Sequence, residues 1–237
     1  MNQGSYRDSE AKTLAALSGA PQFNRWLAHT IRPHVGDRVL EIGCGIGNLT
    51  VALLPGVQRY IATDPNEEYL KQAADRVPGG SPVEFACCDL MRREDFAPFA
   101  GLIDTVLCVN VLEHLDGDGA GLANLFSFLG PGGRAIVLVP EGQSVFGSLD
   151  TALGHRRRYS EAGIKGKMEE VGFVVEHLIG FNRISRPAWW FCGKVLRQSS
   201  LGRLQMRIFD RMVWLGRRID ARRRWRPLSI IVIGSRR

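Results

Sequence analysis

The stretch VLEIGCGIGNLT, Val39 to Thr50, decides how the chain is read. An apolar run closes on Glu41 and Ile42, three glycines follow in Gly43-Cys44-Gly45-Ile46-Gly47, and an apolar-periodic segment resumes at Asn48. The pattern predicts a buried strand, a tight turn and a helix, the place where backbone cradles a nucleotide. A P-loop would carry Lys-Ser/Thr after its last glycine, whereas Gly47 is followed by Asn48 and Leu49. The dinucleotide fingerprint GxGxxG places its third glycine one residue later. Asp64, about 20 positions on at the end of YIATD, suits a ribose contact with either kind of nucleotide. The turn alone leaves the nucleotide open.

Strand and helix patterns alternate outward from this turn. RVLEIG, RYIATD, VEFACCD, IDTVLCVN and RAIVLVP are short apolar runs bounded by Gly, Pro, Asp or Asn; VVEHLIGFN and SIIVIGSR add a sixth and a seventh. Helical stretches separate them at Asn48–Leu54, Asn66–Arg76, Arg92–Phe99, Gly119–Leu129 and Glu161–Val171. Near-continuous apolar strands alternating with helices predict a mostly parallel, Rossmann-like α/β sheet of seven strands, covered on both faces. The whole chain, 1–237, is expected to form one domain. Two helical additions flank it: an N-terminal cap, 1–34, and an insertion before the last strand, 184–227.

Composition excludes several classes. With 45% hydrophobic and 23% charged residues the chain is neither disordered nor collagen-like. The start, MNQGSYRDSE, is polar and is not expected to be a secretory signal, and no apolar run has a membrane-spanning length. Five cysteines without a CxxC pair predict a reduced, cytoplasmic protein without a metal site. The net charge of +7 is local: Lys194 to Arg226 holds eleven basic residues against Asp210 and Asp220, a net +9, so the remainder is slightly acidic. The charge therefore gives no reason to expect a nucleic-acid partner for the main domain.

Further motifs resolve the nucleotide. LEIGCGIGNLT, the acidic end of the second strand at Asp64, CCDL with Asp89, NVLEHL from Asn110 to Leu115, and LGPGGRAIVLVP occur in that order. Together they resemble the class I S-adenosylmethionine-dependent methyltransferases over most of the chain. The resemblance implies S-adenosylmethionine as cofactor. Gly43, Cys44, Gly45, Gly47 and Asn48 would line its methionyl and ribose portions, with Glu41 near the ammonium. Asp64 and Pro65 would lie at the ribose, Asp89 and the backbone of Leu90 at the adenine, and Asn110 and Val111 beside the cofactor backbone. Cys44 and Cys88 are expected to pack rather than to act as nucleophiles.

The acceptor is expected outside the carboxyl ends of the strands. His114, after the fourth strand, is one candidate catalytic group, and its alternative is a local backbone contact. The loop VFGSLDTALGHRRRYS, Val145 to Ser160, resembles a GHxRRYS feature of a methyltransferase subgroup. It offers His155 as a catalytic group and Arg157, Arg158 and Tyr159 as acceptor-binding groups; alternatively the arginines pair with core carboxylates and Tyr159 packs. Ser160 is the expected N-cap of the next helix. NPPY or DPPY after the fourth strand and a double-glutamate loop are absent, which argues against base and protein-arginine methylation. The expected acceptor is a small molecule with a hydroxyl, amine or carbon centre. A non-catalytic binding protein and an NAD-dependent dehydrogenase are the alternatives.

In the insertion, Leu201, Leu204, Ile208, Met212, Leu215 and Ile219 recur at helical spacing opposite Arg203, Arg207, Arg211, Arg218 and Arg222. A lid, a dimer interface and a peripheral membrane contact, which would favour a lipid- or polyprenyl-linked acceptor, are all open. The simplest expectation is a cap whose apolar stripe packs on the domain while its arginines are solvated. The sequence does not set the oligomeric state.

Overall fold

All seven expected strands form: β1 Arg38–Ile42, β2 Arg59–Asp64, β3 Val83–Cys87, β4 Thr105–Val109, β5 Arg134–Pro140, β6 Val174–Phe181 and β7 Ser229–Ser235. The computed structural model describes residues 15, 18–200, 202–222 and 225–237. Most of the N-terminal part of the expected cap, and Leu201 of the expected stripe, lie outside the described residues. The strands make one sheet in the order β3-β2-β1-β4-β5-β7-β6. β7 runs antiparallel to both neighbours, and the pairs among β3, β2, β1, β4 and β5 are parallel. The strand order reverses between β1 and β4, which makes the carboxyl ends of those two strands the switch point of the sheet.

The strands read as continuous apolar runs because both faces are buried. Leu40, Ile42, Val106, Val137 and Val232 point into one core, while Val39, Leu107, Ile136, Leu138 and Ile231 point into the other. The first core is covered by α4 (Asp118–Phe128), through Leu122 and Leu125, and by α6 (Glu161–Glu170), through Ile164 and Met168. The second is covered by α1 (Pro21–Ile31), α2 (Asn48–Leu53) and α3 (Glu67–Ala74). Asn66 caps α3 and Ser160 caps α6, its Oγ accepting the Gly163 N–H at 3.0 Å. The stretch expected as a helix at Arg92–Phe99 winds as a 3₁₀ segment, Arg93–Phe99, with Pro98 inside it.

A short helix, α5 (Ser148–Ala152), follows β5; the insertion between β6 and β7 begins with α7 (Ser185–Trp190) and a π-turn at Phe191–Val195, which are bonded to α5 through Trp189 and Gly193. It continues with α8 (Arg203–Arg211) and α9 (Val213–Arg222). The ring of Phe23 on α1 lies 5.5 Å from that of Phe209, and Trp26 lies 4.4 Å from Phe181. The insertion therefore packs on α1, but not through the stripe that its periodicity picks out. Met206, Asp210 and Val213 are buried, whereas Leu204, Ile208 and Met212 face outward. The expectation of a cap held by its apolar stripe is corrected: Ala20, just before α1, and Phe23 on α1 pack against the other side of α8, and the Phe23 N–H donates to Asp210 Oδ1 at 2.9 Å.

Candidate functional site

The glycine turn leaves β1 at the switch point. Gly43, Gly45 and Gly47 have φ of 68°, 53° and 74°, a region that costs an L side chain about 1–2 kcal/mol. A Cβ on Gly43 would also lie 2.5 Å from Val111 Cγ2, so this backbone approaches the segment after β4 more closely than any side chain allows. Gly47 meets α3 in the same way, with Ala73 Cβ 3.0 Å from the position of a Cβ.

Asp64 closes one end of the turn. Its Oδ2 accepts the Gly45 N–H at 2.8 Å and its Oδ1 accepts the Asn66 N–H at 2.9 Å. Burial raises its pKa against those two bonds. Each carboxylate oxygen keeps a second lone pair, which suits the vicinal hydroxyls of a ribose. Pro65 beside it is exposed. Asp89 accepts the Met91 N–H at 2.9 Å, which leaves it partly exposed at the start of its loop, with Leu90 buried next to it. Asn110 is exposed with φ of 54°, and its N–H is held by the Leu138 carbonyl. The Arg76 guanidinium donates to the Ile46 carbonyl and to Asn48 Oδ1, both at 2.7 Å, so that cation serves the turn itself.

Glu41 faces the interior. Its Oε2 accepts from the Thr50 hydroxyl at 2.5 Å and the Tyr60 hydroxyl at 2.9 Å, and burial pushes its pKa up to about 7. The carboxylate ties β1, α2 and β2 together beneath the turn. Cys44 and Cys88 are buried thiols whose pKa values burial raises, consistent with packing.

On the β4 side, the Arg156 N–H donates to the Glu113 carbonyl at 2.8 Å and joins the His155 loop to NVLEHL. This brings His155, His114 and Glu113 together. The two imidazoles meet edge to face at 5.0 Å between centroids. His155 Nδ1 lies 3.0 Å from Asp150 Oδ1 and its Nε2 lies 3.8 Å from Glu113 Oε1. Burial works to raise the Asp150 pKa, but the His155 hydrogen bond and the Arg158 charge hold it below the usual range. An ionised Asp150 beside Nδ1 favours the His155 tautomer that carries its proton there. Burial, followed by the charge of His155, pulls His114 down to about 4, so its ring is neutral at pH 7. Burial pushes Glu113 up to about 7, and neither of its carboxylate oxygens has a hydrogen-bond partner. The ligand atoms of Glu113, His114 and His155 lie within 4.8 Å of one another, a spacing that a metal ion can bridge.

The other three residues expected at the acceptor are engaged within the fold, the arrangement given above as the alternative. Arg157 donates to the Leu115 and Asp116 carbonyls and pairs with Asp118 at 3.2 Å. Arg158 is buried, bonded to Asp150 at 2.8 Å and the Glu141 carbonyl at 3.1 Å, with its guanidinium 5.3 Å from the centre of the Trp189 ring. The Tyr159 hydroxyl donates to Asp118 at 2.9 Å. These side chains satisfy buried carboxylates and fix the loop, which leaves His155 facing the cluster. Asp150 and Glu113 were not singled out in the sequence. The one signal for Asp150 is its place five residues before His155, in the middle of a short helix.

Comparison with known proteins agrees with this architecture. Residues 40–135 match the family model described as a methyltransferase domain. The chain is 31% identical over 128 residues to a ubiquinone biosynthesis O-methyltransferase of Thiobacillus denitrificans, covering 53% of each chain. The chain spans about half the length of the curated relatives it matches, 56% and 53% for two of them. Among solved structures, an S-adenosylmethionine-dependent methyltransferase from Mesorhizobium loti superposes with a TM-score of 0.59 at 15% identity, over 88% of this chain and 96% of that one. The magnesium protoporphyrin IX methyltransferase of Synechocystis, solved with bound S-adenosylmethionine, superposes with a TM-score of 0.56 at 17% identity, over 92% and 80%.

Proposed function

We propose that the chain is a class I S-adenosylmethionine-dependent methyltransferase and that it methylates a small-molecule acceptor seated beside the His155 loop. The observation that carries this reading is the joining of two loops at the switch point. One holds His155 against Glu113 and His114, and the other brings Val111 against the glycine turn. In this reading the backbone of Gly43, Gly45 and Gly47, with Asn48, lines the methionyl and ribose portions of the cofactor, and Asp64 accepts from its ribose hydroxyls. Asp89, Leu90, Asn110 and Val111 border the adenine and the cofactor backbone. Bound there, the cofactor supplies a methyl group on a cationic sulfur, open to in-line attack.

The chain's own work is to position the acceptor and to take its proton. Asp150 holds the Nδ1–H of His155, so Nε2 receives the proton from an attacking hydroxyl or amine. His114, neutral at pH 7, lines the same space without adding charge. A hydroxyl is favoured among the possible acceptors because two relatives, each 31% identical, are named O-methyltransferases.

The test is transfer from labelled S-adenosylmethionine to a panel of hydroxylated small molecules, run beside His155→Gln. The variant should lose turnover on the order of 100-fold with its affinity for S-adenosylhomocysteine unchanged. Loss of cofactor affinity in step with turnover would make His155 a structural residue and remove the proposed base.

A further inference from the structure

The insertion leaves an uncovered apolar face that neither the fold nor the methyl-transfer site uses. Of the twelve large apolar side chains exposed among the described residues, nine lie between Trp190 and Trp225. Leu204, Ile208 and Met212 are 70%, 52% and 40% exposed and follow one another at four-residue spacing on α8 and its C-cap. The opposite side of α8, with Met206, Phe209 and Asp210, is the side packed against α1. The outward ridge is therefore a second face of a helix whose first face is already satisfied. Trp190, Phe191, Val195 and Leu196, on α7, the π-turn and the residue after it, and Trp214 on α9 are exposed as well.

We propose that this surface of the insertion docks on a bilayer carrying anionic lipids. The charge around it supports that occupant. Arg207 and Arg211 flank the α8 ridge and are exposed, as are Lys194, Arg197, Arg217, Arg218 and Arg222. The guanidinium of Arg218 lies 5.3 Å from the centre of the Trp214 ring, an amphipathic pair suited to the headgroup level. Beside it, a cavity of about 920 Å³ between α1 and α9 is lined by Arg25, His29, Arg32, Arg211 and Arg217, with Asp210 the acid among them. Apolar ridges bordered by arginine bury their side chains at the acyl boundary while the cations meet anionic headgroups. A second copy of the chain fits less well, because an isologous contact would bring two segments of net +9 together.

Docking has a consequence for the site, and this step rests on the methyl-transfer reading. α7 and the π-turn are bonded to α5, through Trp189 Nε1 to Asp150 at 3.1 Å and the Ser148 hydroxyl to the Gly193 carbonyl at 2.9 Å. The same segment thus carries exposed Trp190 and Phe191 and holds the partner of His155. An amphipathic acceptor anchored in the bilayer would reach the His155 loop from the membrane plane.

The test is sedimentation of the full chain with vesicles of phosphatidylcholine alone and of phosphatidylcholine containing one-third phosphatidylglycerol. S-adenosylhomocysteine affinity, measured in parallel without vesicles, reports on the cofactor site alone, so failure of either reading is seen separately. The chain should sediment with the anionic vesicles, less so as salt is raised, and little with the neutral ones. Leu204→Ser with Ile208→Ser, at exposed positions, should lower the partition at least tenfold while the cofactor affinity is kept. Arg207→Glu with Arg211→Glu should do the same and flatten the salt dependence. Failure to sediment with anionic vesicles overturns the proposal, as does partition indifferent to both pairs of substitutions. Self-association abolished by the serine pair, or binding to RNA, in either case without vesicle binding, would assign the face to that other partner instead.

Discussion

Gly43→Ala separates the two reasons that this position holds a glycine. The φ of 68° alone costs alanine about 1–2 kcal/mol. The new Cβ would also sit 2.5 Å from Val111 Cγ2, well inside contact, and the branched valine has little freedom to turn away. Relief of such overpacking by backbone shifts costs a further 1–3 kcal/mol, giving roughly 3 kcal/mol in all. Urea unfolding of the wild type, Gly43→Ala, Val111→Ala and the double variant forms a cycle. The glycine substitution should cost about 1–3 kcal/mol less in the Val111→Ala background, where only the backbone strain remains. Calorimetric titration with S-adenosylhomocysteine should show at least tenfold weaker binding for Gly43→Ala, because the turn can no longer present its backbone to the ligand. Equal cost in both backgrounds would refute the close approach of the turn to β4, and wild-type affinity in Gly43→Ala would refute its role in binding.

Buried acids make the remaining predictions. Glu113 and Glu41 both rise from 4.5 to about 7 in the folded chain. Between about pH 4.5 and 7 the folded state therefore holds more protons than the unfolded one, and stability falls as pH rises through that window. Glu113→Gln removes its share of the slope, at most about 3 kcal/mol, and leaves that of Glu41; unfolding curves at pH 5 and pH 8 measure it, and an unchanged slope would contradict the assignment. Asp150→Ala leaves the buried Arg158 without its 2.8 Å partner and should cost about 3–5 kcal/mol in urea unfolding, where a loss below 1 kcal/mol would show the pair to be dispensable.

Much of this architecture was legible because buried parallel strands announce themselves. Both faces of β1, β4 and β5 are covered, so their residues are apolar without interruption, and the glycine turn and Asp64 follow at fixed distances from β1 and β2. The polar cluster was less legible because its members meet only through the folded chain. His155 reaches Glu113 by a backbone bond across the 43 residues that separate Arg156 from Glu113. The arginine run beside it looks like a ligand site in sequence, yet Asp118, Asp150 and the Glu141 carbonyl take up Arg157 and Arg158. In the insertion, periodicity found an apolar ridge but could not tell which side of α8 would pack. Phe23 on α1 decides that by meeting Phe209 and donating its N–H to Asp210.

The measurement that bears most directly on the whole account is calorimetric titration of the chain with S-adenosylhomocysteine and, separately, with NAD, repeated on Asp64→Ala. The account predicts binding of S-adenosylhomocysteine alone, weakened at least tenfold, about 1.4 kcal/mol, when the Asp64 carboxylate is removed. Binding of NAD in its place, or unchanged affinity in folded Asp64→Ala, would contradict the assignment of the glycine turn and of the methyl-transfer site built on it.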